Sequence, residues 1–269
     1  MEIFTLIEKV RANKPLVHHI TNYVTVNDCA NITLGIGASP IMADANEEAA
    51  DIAGISQAVV LNMGTLNPKT VQSMLLAGKA ANNAGVPVIF DPVGAGASAY
   101  RNETAASLIS EVKFTVIRGN ISEIKFIAGL KSETKGVDAG ENDIDSADGI
   151  NIAKSLAKRL NCVIAITGAT DTISDGEKVT LIKNGHPMLA NLTGTGCMCS
   201  SLVGSFVGAV PQLPLEATIC AVLSMGIAGE IAYEKAGELG NGSFRVALHD
   251  AISKIDREIL EKGAKASEA

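Results

Sequence analysis

Length, composition and charge limit what this chain can be. It has 269 residues, of which 47% are hydrophobic and 3% aromatic, and it contains no Trp. Such a chain can bury a full core, and we expect residues 1–269 to form a single domain. A net charge of −7 argues against nonspecific binding to nucleic acid or to an anionic membrane surface. We expect neither partner, so an anionic ligand must be attracted by local groups or by a metal.

Cysteine usage and the apolar segments indicate the compartment. The five cysteines form no CxxC pair and no zinc-type spacing, which fits reduced thiols in a cytoplasmic protein. Residues 1–4 carry no basic flank or signal-peptide core. The apolar stretch 197–210 is too short to span a bilayer, and the stretch 215–236 contains two glutamates. We expect both stretches to be helices inside a soluble protein.

Strand-like runs alternate with helix-like segments over the first 170 residues. The pattern predicts strands over 58–62, 86–91, 114–118 and 162–167. Helices are predicted over 68–83, from an N-cap near Ser122, and over 146–160. The polar, glycine-containing stretch 131–145 is typical of an exposed, mobile loop. This order favours an α/β fold with a parallel, helix-flanked sheet.

The pattern changes after residue 168. Segments 172–174 and 178–183, separated by Asp175-Gly176, predict a hairpin with a type I′ turn. Helices are predicted over 197–210, 215–236 and 246–261. The last third of the chain is therefore expected to be mostly helical.

Polar residues follow the predicted parallel strands. Asn62, Asp91, Arg118 and Thr167 each stand at the carboxyl end of a strand. Because ligands of open α/β sheets bind beyond those ends, we expect these residues to converge on a binding site.

A glycine-rich turn, Gly194-Thr195-Gly196-Cys197, leads into one of the predicted helices. Glycines allow close backbone approach to a ligand, and the first amides of a helix are unpaired. The turn is suited to hold a phosphate, although such turns also serve as simple tight connections. Cys197 stands beside the expected anion, where a catalytic group would lie.

Arg118, Asp91 and Glu123 together suggest a magnesium–nucleotide site. Arginine binds phosphate oxygens through its fork of donors, and carboxylates are oxygen ligands of the kind that Mg²⁺ prefers. Each residue also has a structural explanation: a surface arginine, a carboxylate capping a loop, and a glutamate complementing a helix dipole. For Glu123 taken alone, the structural explanation is the favoured one.

The segment 17–24 contains His18 and His19. Only two other histidines exist, so zinc is not expected and hydrogen-bonded structural histidines are the simplest interpretation. Asn22 is the better functional candidate, because an amide can recognise a heteroatom of a neutral ligand. Met42 either forms an apolar wall of a pocket or fills the core.

Eight short segments, in order and at compatible spacing, carry a family resemblance. They are His-x-Ile-Thr-Asn (18–22), Ala-Ser-Pro-Ile-Met (38–42), Leu-Asn-Met-Gly-Thr-Leu (61–66), Asp-Pro-Val-Gly-Ala-Gly (91–96), Arg-Gly-Asn (118–120), Lys-Gly-Val-Asp (135–138), Ile-Thr-Gly (166–168) and Thr-Gly-Thr-Gly-Cys (193–197). Together they resemble the hydroxyethylthiazole kinases, a thiamine-pathway family of the ribokinase-like superfamily.

The resemblance implies a fold, a reaction and an assembly. The fold is ribokinase-like, with a central, mostly parallel sheet flanked by helices on both faces. The reaction transfers the γ-phosphoryl group of ATP, with Mg²⁺, to the primary alcohol of 4-methyl-5-(2-hydroxyethyl)thiazole. The assembly is a homotrimer whose thiazole pockets lie at contacts between subunits.

The resemblance also implies roles for individual residues. It places Asn22, Met42, Gly64 and Gly194 at the thiazole, Arg118, Asn120, Thr167 and Thr195 at ATP, Asp91 and Glu123 at magnesium, and Gly194, Gly196 and Cys197 around the transferred phosphoryl group. Sugar-kinase relatives have an aspartate base where this chain has Cys197. A thiol is a weak base, so slow turnover is expected, unless Cys197 merely fills the turn.

Two other functions stay open. A kinase of the same superfamily acting on hydroxymethylpyrimidine or pyridoxal is the nearest alternative, and Asn22 and Met42 favour the thiazole over it. A nucleotide-sensing protein without turnover is the other. The intact Arg118, Glu123 and glycine turn argue against that sensor, whereas Cys197 in place of aspartate is compatible with it.

Overall fold

A computed structural model describes residues 2–130 and 146–269, and the loop predicted over 131–145 lies outside them. The described residues contain a nine-stranded sheet with strand order β2-β1-β3-β4-β5-β6-β7-β8-β9. The strands are β1 (Leu16–Ile20), β2 (Ser39–Ile41), β3 (Ala58–Asn62), β4 (Val88–Asp91), β5 (Val116–Asn120), β6 (Val163–Thr167), β7 (Asp171–Ser174), β8 (Val179–Ile182) and β9 (Ala266–Glu268). Strands β1–β6 pair in parallel with one another. The pairs β6–β7, β7–β8 and β8–β9 are antiparallel.

Helices cover both faces of the sheet. They are α1 (Leu6–Asn13), α2 (Val26–Ile36), α3 (Ala49–Ile55), α4 (Pro68–Ala84), α5 (Ala99–Glu111), α6 (Ile121–Ala128), α7 (Ser146–Leu160), α8 (Thr195–Ala209), α9 (Pro214–Ala236), α10 (Asn241–Lys254) and α11 (Arg257–Gly263). One apolar core lies between the sheet and α1, α2 and α8–α11, and a second lies between the sheet and α3–α7. The predicted parallel sheet with helices on both faces is therefore confirmed.

The strands on the parallel side form because their residues are apolar on both faces. In β3 all five residues are buried, and in β4 all four are. A strand covered by helices on both sides buries every side chain, so it appears in the sequence as a continuous apolar run. Their polar end residues, Asn62 and Asp91, are directly paired in register.

Among the described residues, one helical stretch, Pro214–Leu239, is long and apolar enough to cross a membrane. However, 83% of its apolar window is buried inside the fold. It is therefore best explained as a core helix, in agreement with the expectation for α9.

Several boundary predictions are wrong, and the strand predicted over 114–118 is one of them: β5 covers Val116–Asn120, so Arg118 lies two residues before its carboxyl end. Helix α6 begins at Ile121 with Asn120, not Ser122, as its N-cap, because the Asn120 side chain accepts the Glu123 N–H and Glu123 bonds back to the Asn120 N–H. The helix predicted over 246–261 is two helices, because the Asp256 side chain caps a new helix through the N–H of Ile259.

The predicted hairpin also differs in its turn. Strands β7 and β8 pair antiparallel as predicted, but Ser174 pairs with Val179, which leaves a four-residue connection. Gly176 has φ +98°, whereas Asp175 is not among the residues with positive φ. A type I′ turn needs positive φ at both central residues, so the turn is of another kind. The Asp175 carboxylate instead accepts the N–H groups of Glu177 and Lys178.

Candidate active site

The carboxyl ends of the parallel strands meet under the first turn of α8, which confirms the predicted convergence of polar residues. Asp91 ends β4 and is fully buried. Its Oδ2 accepts bonds of 2.8 Å from both Asn62 Nδ2 and Ser200 Oγ, and Arg118 Nη1 lies 3.7 Å from the same oxygen. Burial raises the pKa of Asp91, while the Arg118 guanidinium opposes that rise. The other oxygen, Oδ1, is buried and has no hydrogen-bond partner within the described residues.

Asn62 connects Asp91 to the other side of the site. Its Oδ1 accepts the Asn22 side-chain N–H at 3.0 Å and the Gly64 backbone N–H at 2.9 Å. Its Nδ2 donates to Asp91 and lies 3.3 Å from Cys197 Sγ. The sequence places Asn62 at a strand end without indicating its role. A polar residue closing an otherwise apolar buried strand was the available signal.

Cys197 lies in the first turn of α8. The helix is preceded by Gly194 with φ +90°, and no side chain caps it. A Cβ atom on Gly194 would lie 2.4 Å from Thr25 Cγ2, so the turn requires glycine for both conformation and space. Asn22 Nδ2 lies 3.2 Å from Cys197 Sγ. Burial, followed by the nearby Asp91, raises the pKa of Cys197, so the side chain is a thiol at neutral pH.

Arg118 extends from β5 to the same helix turn. It donates to the Thr167 hydroxyl, and a Cβ atom on Gly196 would lie 2.7 Å from its Nη1. Among the described residues, its buried Nε has no hydrogen-bond partner. A cavity of about 580 Å³ opens beside it. The residues predicted to contact ATP, together with Gly196, line this cavity: Arg118, Asn120, Thr167 and Thr195.

The same cavity contains a residue that sequence analysis missed. Asp171, at the start of β7, is buried, and its Oδ1 accepts the Gly168 N–H at 2.9 Å. Burial raises the pKa of Asp171 to about 7. Because β7 was predicted only as half of a hairpin, nothing in the sequence pattern placed this carboxyl group at the cavity.

Glu123 is held by the backbone on both of its oxygens. Oε1 accepts the Gly94 N–H and Oε2 accepts the Asn120 N–H, each at 2.8 Å. Burial and the neighbouring Asp91 raise its pKa to about 7. Within the part of the chain that the structure describes, no group of three or more His, Cys, Asp or Glu residues could hold a metal. Through these two bonds Glu123 caps α6 and orders the loop after β4.

The residues predicted to bind the thiazole lie at the same edge. Gly64 packs on Asn22: a Cβ atom at position 64 would lie 2.6 Å from the Asn22 side chain. Met42 directly follows β2, the strand beside β1, and is half-buried. Tyr23 and Val24, next to Asn22, are 80% and 55% exposed. An apolar exposed surface therefore borders the site.

The two histidines of β1 are buried and bonded to the backbone. His18 Nε2 lies 2.6 Å from the carbonyl of Ala43, and His19 Nδ1 lies 3.0 Å from that of Val17. Burial lowers the pKa of His19 to about 4, so its ring is neutral. Both fit the structural interpretation.

Comparisons with known proteins agree with this geometry. A model described as the hydroxyethylthiazole kinase family matches residues 7–258. The hydroxyethylthiazole kinase of Ruminiclostridium cellulolyticum is 58% identical over 99% of this chain and 97% of its own length. The structure of a hydroxyethylthiazole kinase protein from Pyrococcus horikoshii superposes with a TM-score of 0.90 at 38% identity, covering 99% of this chain and 98% of that one.

A ribokinase-like superfamily protein from Enterococcus faecalis superposes with a TM-score of 0.65 at 13% identity, covering 92% of this chain and 89% of its own. That likeness concerns the fold alone, and it confirms the predicted ribokinase-like fold. Because the family model matches residues 7–258, which is most of the sequence, the chain belongs to the hydroxyethylthiazole kinase family.

Proposed function

We propose that this chain transfers the γ-phosphoryl group of ATP to the primary alcohol of 4-methyl-5-(2-hydroxyethyl)thiazole. The product is the thiazole phosphate used to make thiamine phosphate. Membership of the family across residues 7–258 is the observation that carries the proposal. The convergence of Asp91, Asn62 and Cys197 under the N-terminus of α8 supplies a physical setting for that chemistry.

ATP occupies the cavity beside Arg118. Its phosphates meet the guanidinium of Arg118 and the Thr167 hydroxyl, with Asn120 and Thr195 at the cavity wall. Arg118 is suited to this role because its buried Nε has no hydrogen-bond partner in the part of the chain that the structure describes, and because arginine recognises phosphate through paired donors. An anion in this position would use donors that the folded chain leaves unsatisfied.

The N-terminus of α8 surrounds the transferred phosphoryl group. The amides of Thr195, Gly196 and Cys197 begin the helix without a side-chain cap, so they point outward towards an anion. A loose phosphoryl-transfer transition state needs alignment and charge stabilisation more than covalent help. Cys197 is at most a weak general base, because burial keeps it protonated, and turnover is accordingly slow.

Magnesium fits one carboxyl group of the site better than the other. Asp91 Oδ1 is buried without a hydrogen-bond partner in the described chain, so it is available as an oxygen ligand. Each oxygen of Glu123 already accepts one backbone N–H group, which leaves it one lone pair rather than two for the metal or for a metal-bound water. When bound with the nucleotide, the metal would neutralise charge on the phosphates.

The alcohol lies on the other side of Asp91, where Asn22, Gly64 and Met42 form its pocket and Gly194 closes it. Tyr23 and Val24 are exposed beside Asn22, which supports a homotrimer in which a neighbouring subunit covers them. The five cysteines are free and four of them are buried, which supports a cytoplasmic location.

The test is ATP consumption with and without the thiazole alcohol, followed by phosphorus NMR of the reaction mixture. A new phosphomonoester should appear together with ADP, and Asp91→Asn should give neither. A phosphomonoester formed only from pyridoxal or from hydroxymethylpyrimidine would make the substrate wrong. If the chain binds ATP but consumes it with none of the three alcohols, that result would favour the nucleotide-sensing protein.

A further inference from the structure

Arg101 lies in the first turn of α5, outside the set of residues assigned to the alcohol, to ATP and to magnesium. Its guanidinium donates to three backbone carbonyls. Nη1 lies 2.5 Å from the carbonyl oxygen of Met63 and 2.6 Å from that of Val93, and Nη2 lies 2.8 Å from that of Gly64. A planar fork of charged donors can satisfy several carbonyls at fixed angles, which a lysine ammonium cannot reproduce.

These carbonyls belong to two different loops. Met63 and Gly64 open the loop after β3, here called the alcohol loop (residues 63–65), whose Gly64 packs on Asn22. Val93 belongs to the loop after β4, here called the Asp91 loop (residues 92–97). The first loop lies on the alcohol side of the site and the second follows the buried carboxylate. Arg101 is thus a bridge between them.

The bridge is itself held rigidly. The backbone N–H of Arg101 donates to the Ser98 hydroxyl, which caps α5. The neighbouring Asn102 side chain accepts the Gly96 N–H at 2.8 Å. Gly94 has φ +72°, and a Cβ atom there would lie 3.1 Å from Arg101 Cδ. The Asp91 loop therefore fits closely against the first turn of α5, with little room to move.

We propose that Arg101 is a positioning residue that fixes the alcohol loop relative to the Asp91 loop, and so aligns the alcohol with the phosphoryl group. The proposal rests on the proposed kinase function. Loss of the bridge would leave three carbonyls without their donor and allow the loops to separate. A displacement of about 1 Å can cost roughly 100-fold in rate. The nucleotide contacts of Arg118 and Thr167 do not pass through Arg101.

Arg101→Ala and Arg101→Lys test the proposal, with Arg159→Ala as the matched control. Arg159 also donates to two carbonyls, those of Ala128 at 3.0 Å and Ile127 at 2.7 Å, but at the C-terminal end of α6. We expect Arg101→Ala to lower kcat by about 10–100-fold and to raise KM for the alcohol, with KM for ATP nearly unchanged. Arg159→Ala should leave all three parameters near those of the wild type.

Two further measurements separate positioning from general damage. Propylguanidinium added to Arg101→Ala should restore part of kcat, because it can occupy the vacated place between the loops. Amide hydrogen exchange should increase in residues 63–65 and 92–97 and not elsewhere. Arg101→Lys keeps the charge and the aliphatic part of the side chain. If Arg101→Ala does not fold, the same kinetic and exchange measurements on Arg101→Lys test the proposal.

The proposal fails if exchange in both loops matches the wild type in the folded variants. It also fails if KM for ATP rises as much as KM for the alcohol, because that would indicate loosening of the whole site. A wild-type chain that phosphorylates no thiazole alcohol would contradict the proposed function instead. In that case, amide hydrogen exchange in residues 63–65 and 92–97 is the measurement that decides whether Arg101 holds the two loops.

Discussion

Asn62 and Asp91 are register partners on adjacent parallel strands, and Asn62 Nδ2 donates to Asp91 Oδ2 over 2.8 Å. The same amide also accepts from Asn22 and Gly64. One neutral side chain therefore orients a buried carboxylate and the alcohol side of the site together. An amide suits this position because it donates to a carboxylate and accepts from neighbours at the same time.

We predict that Asn62→Ala lowers kcat by about 10–100-fold and destabilises the fold by about 1–3 kcal/mol, because buried partners lose their bonds. Asn62→Asp should be worse, since it places a second carboxyl group against Asp91. Steady-state kinetics and urea unfolding measure both effects. Asn67→Ala is the control: Asn67 caps α4 on the exposed surface, so its loss should cost about 1 kcal/mol without changing kcat.

Arg118→Ala should weaken the use of ATP by about 2–3 kcal/mol, seen as a higher KM for ATP and a lower kcat/KM. The buried Asp91 carboxylate would also lose the guanidinium 3.7 Å away, so the melting temperature should fall. In the double variant Arg118→Ala with Asp91→Asn, the melting temperature should recover, because the amide removes the unpaired buried charge. Its activity should not recover. Wild-type kinetics for ATP in a folded Arg118→Ala variant would contradict the assigned role.

Much of the parallel half of the fold could be predicted from sequence, because β3–β6 are apolar runs of strand length whose end residues are polar. Strand β1 contains His18 and His19 and did not resemble such a run, although both are buried. Strand β9 is a short polar segment that becomes a strand by pairing with β8. These elements depend on tertiary partners, which local sequence does not specify.

The site residues also fall into two groups, those that local sequence identifies and those that it does not. Residues at or near strand ends, such as Asp91 and Arg118, could be predicted because a parallel sheet brings those ends together. Asn62 and Arg101 act through bonds to distant segments, and nothing local identifies those partners. Glu123 differs, because an Asn followed three residues later by Glu is a capping-box pattern. That pattern would have given the helix start correctly.

Gly196→Ala should impair ATP use more than any change in helix propensity can explain. A Cβ atom at this position would lie 2.7 Å from Arg118 Nη1, so the guanidinium must move away from the phosphate position. We expect KM for ATP to rise about tenfold or more. Gly242→Ala is the control and should leave KM unchanged, because among the described residues the added Cβ would meet open space. Equal KM values for the two variants would mean that Arg118 tolerates the displacement.

Stability should fall as pH rises through neutrality. Burial raises the pKa of Asp171 to about 7 in the folded chain, above its value of about 3.9 when unfolded. The resulting stabilisation is complete below the unfolded pKa and is lost as pH rises through about 7. Glu123 acts in the same direction, with its pKa raised to about 7. The free energy of unfolding in urea should fall between about pH 5 and pH 8, and Asp171 should account for a decrease on the order of 2 kcal/mol.

Asp171→Asn should remove that part of the slope, because an amide can still accept the Gly168 N–H and does not titrate. Glu258→Gln changes a carboxylate that is 72% exposed and should leave the slope as in the wild type. An unaltered slope in Asp171→Asn would show that this carboxyl group titrates normally in the folded protein.

Cys197 is the residue on which the mechanism can be tested most directly. Because phosphoryl transfer depends on alignment and charge, Cys197→Ala and Cys197→Ser should lower kcat without abolishing turnover. Cys197→Asp should preserve or raise kcat, because a carboxylate is the stronger base and the Nδ2 atoms of Asn22 and Asn62 lie 3.2 and 3.3 Å from the present sulfur. Repulsion by Asp91 and by the γ-phosphate opposes that gain.

The variants are compared at matched folding, checked by thermal melts, between about pH 6.5 and pH 9, a range that spans an ordinary thiol pKa. Cys162→Ala removes another buried thiol, at the amino end of β6 and away from the site, and should leave kcat unchanged. Since burial raises the pKa of Cys197, wild-type kcat should show no thiolate transition near pH 8.5. Complete loss of turnover in both Cys197→Ala and Cys197→Asp would mean that the thiol has an obligatory chemical role, and alignment alone would not account for catalysis.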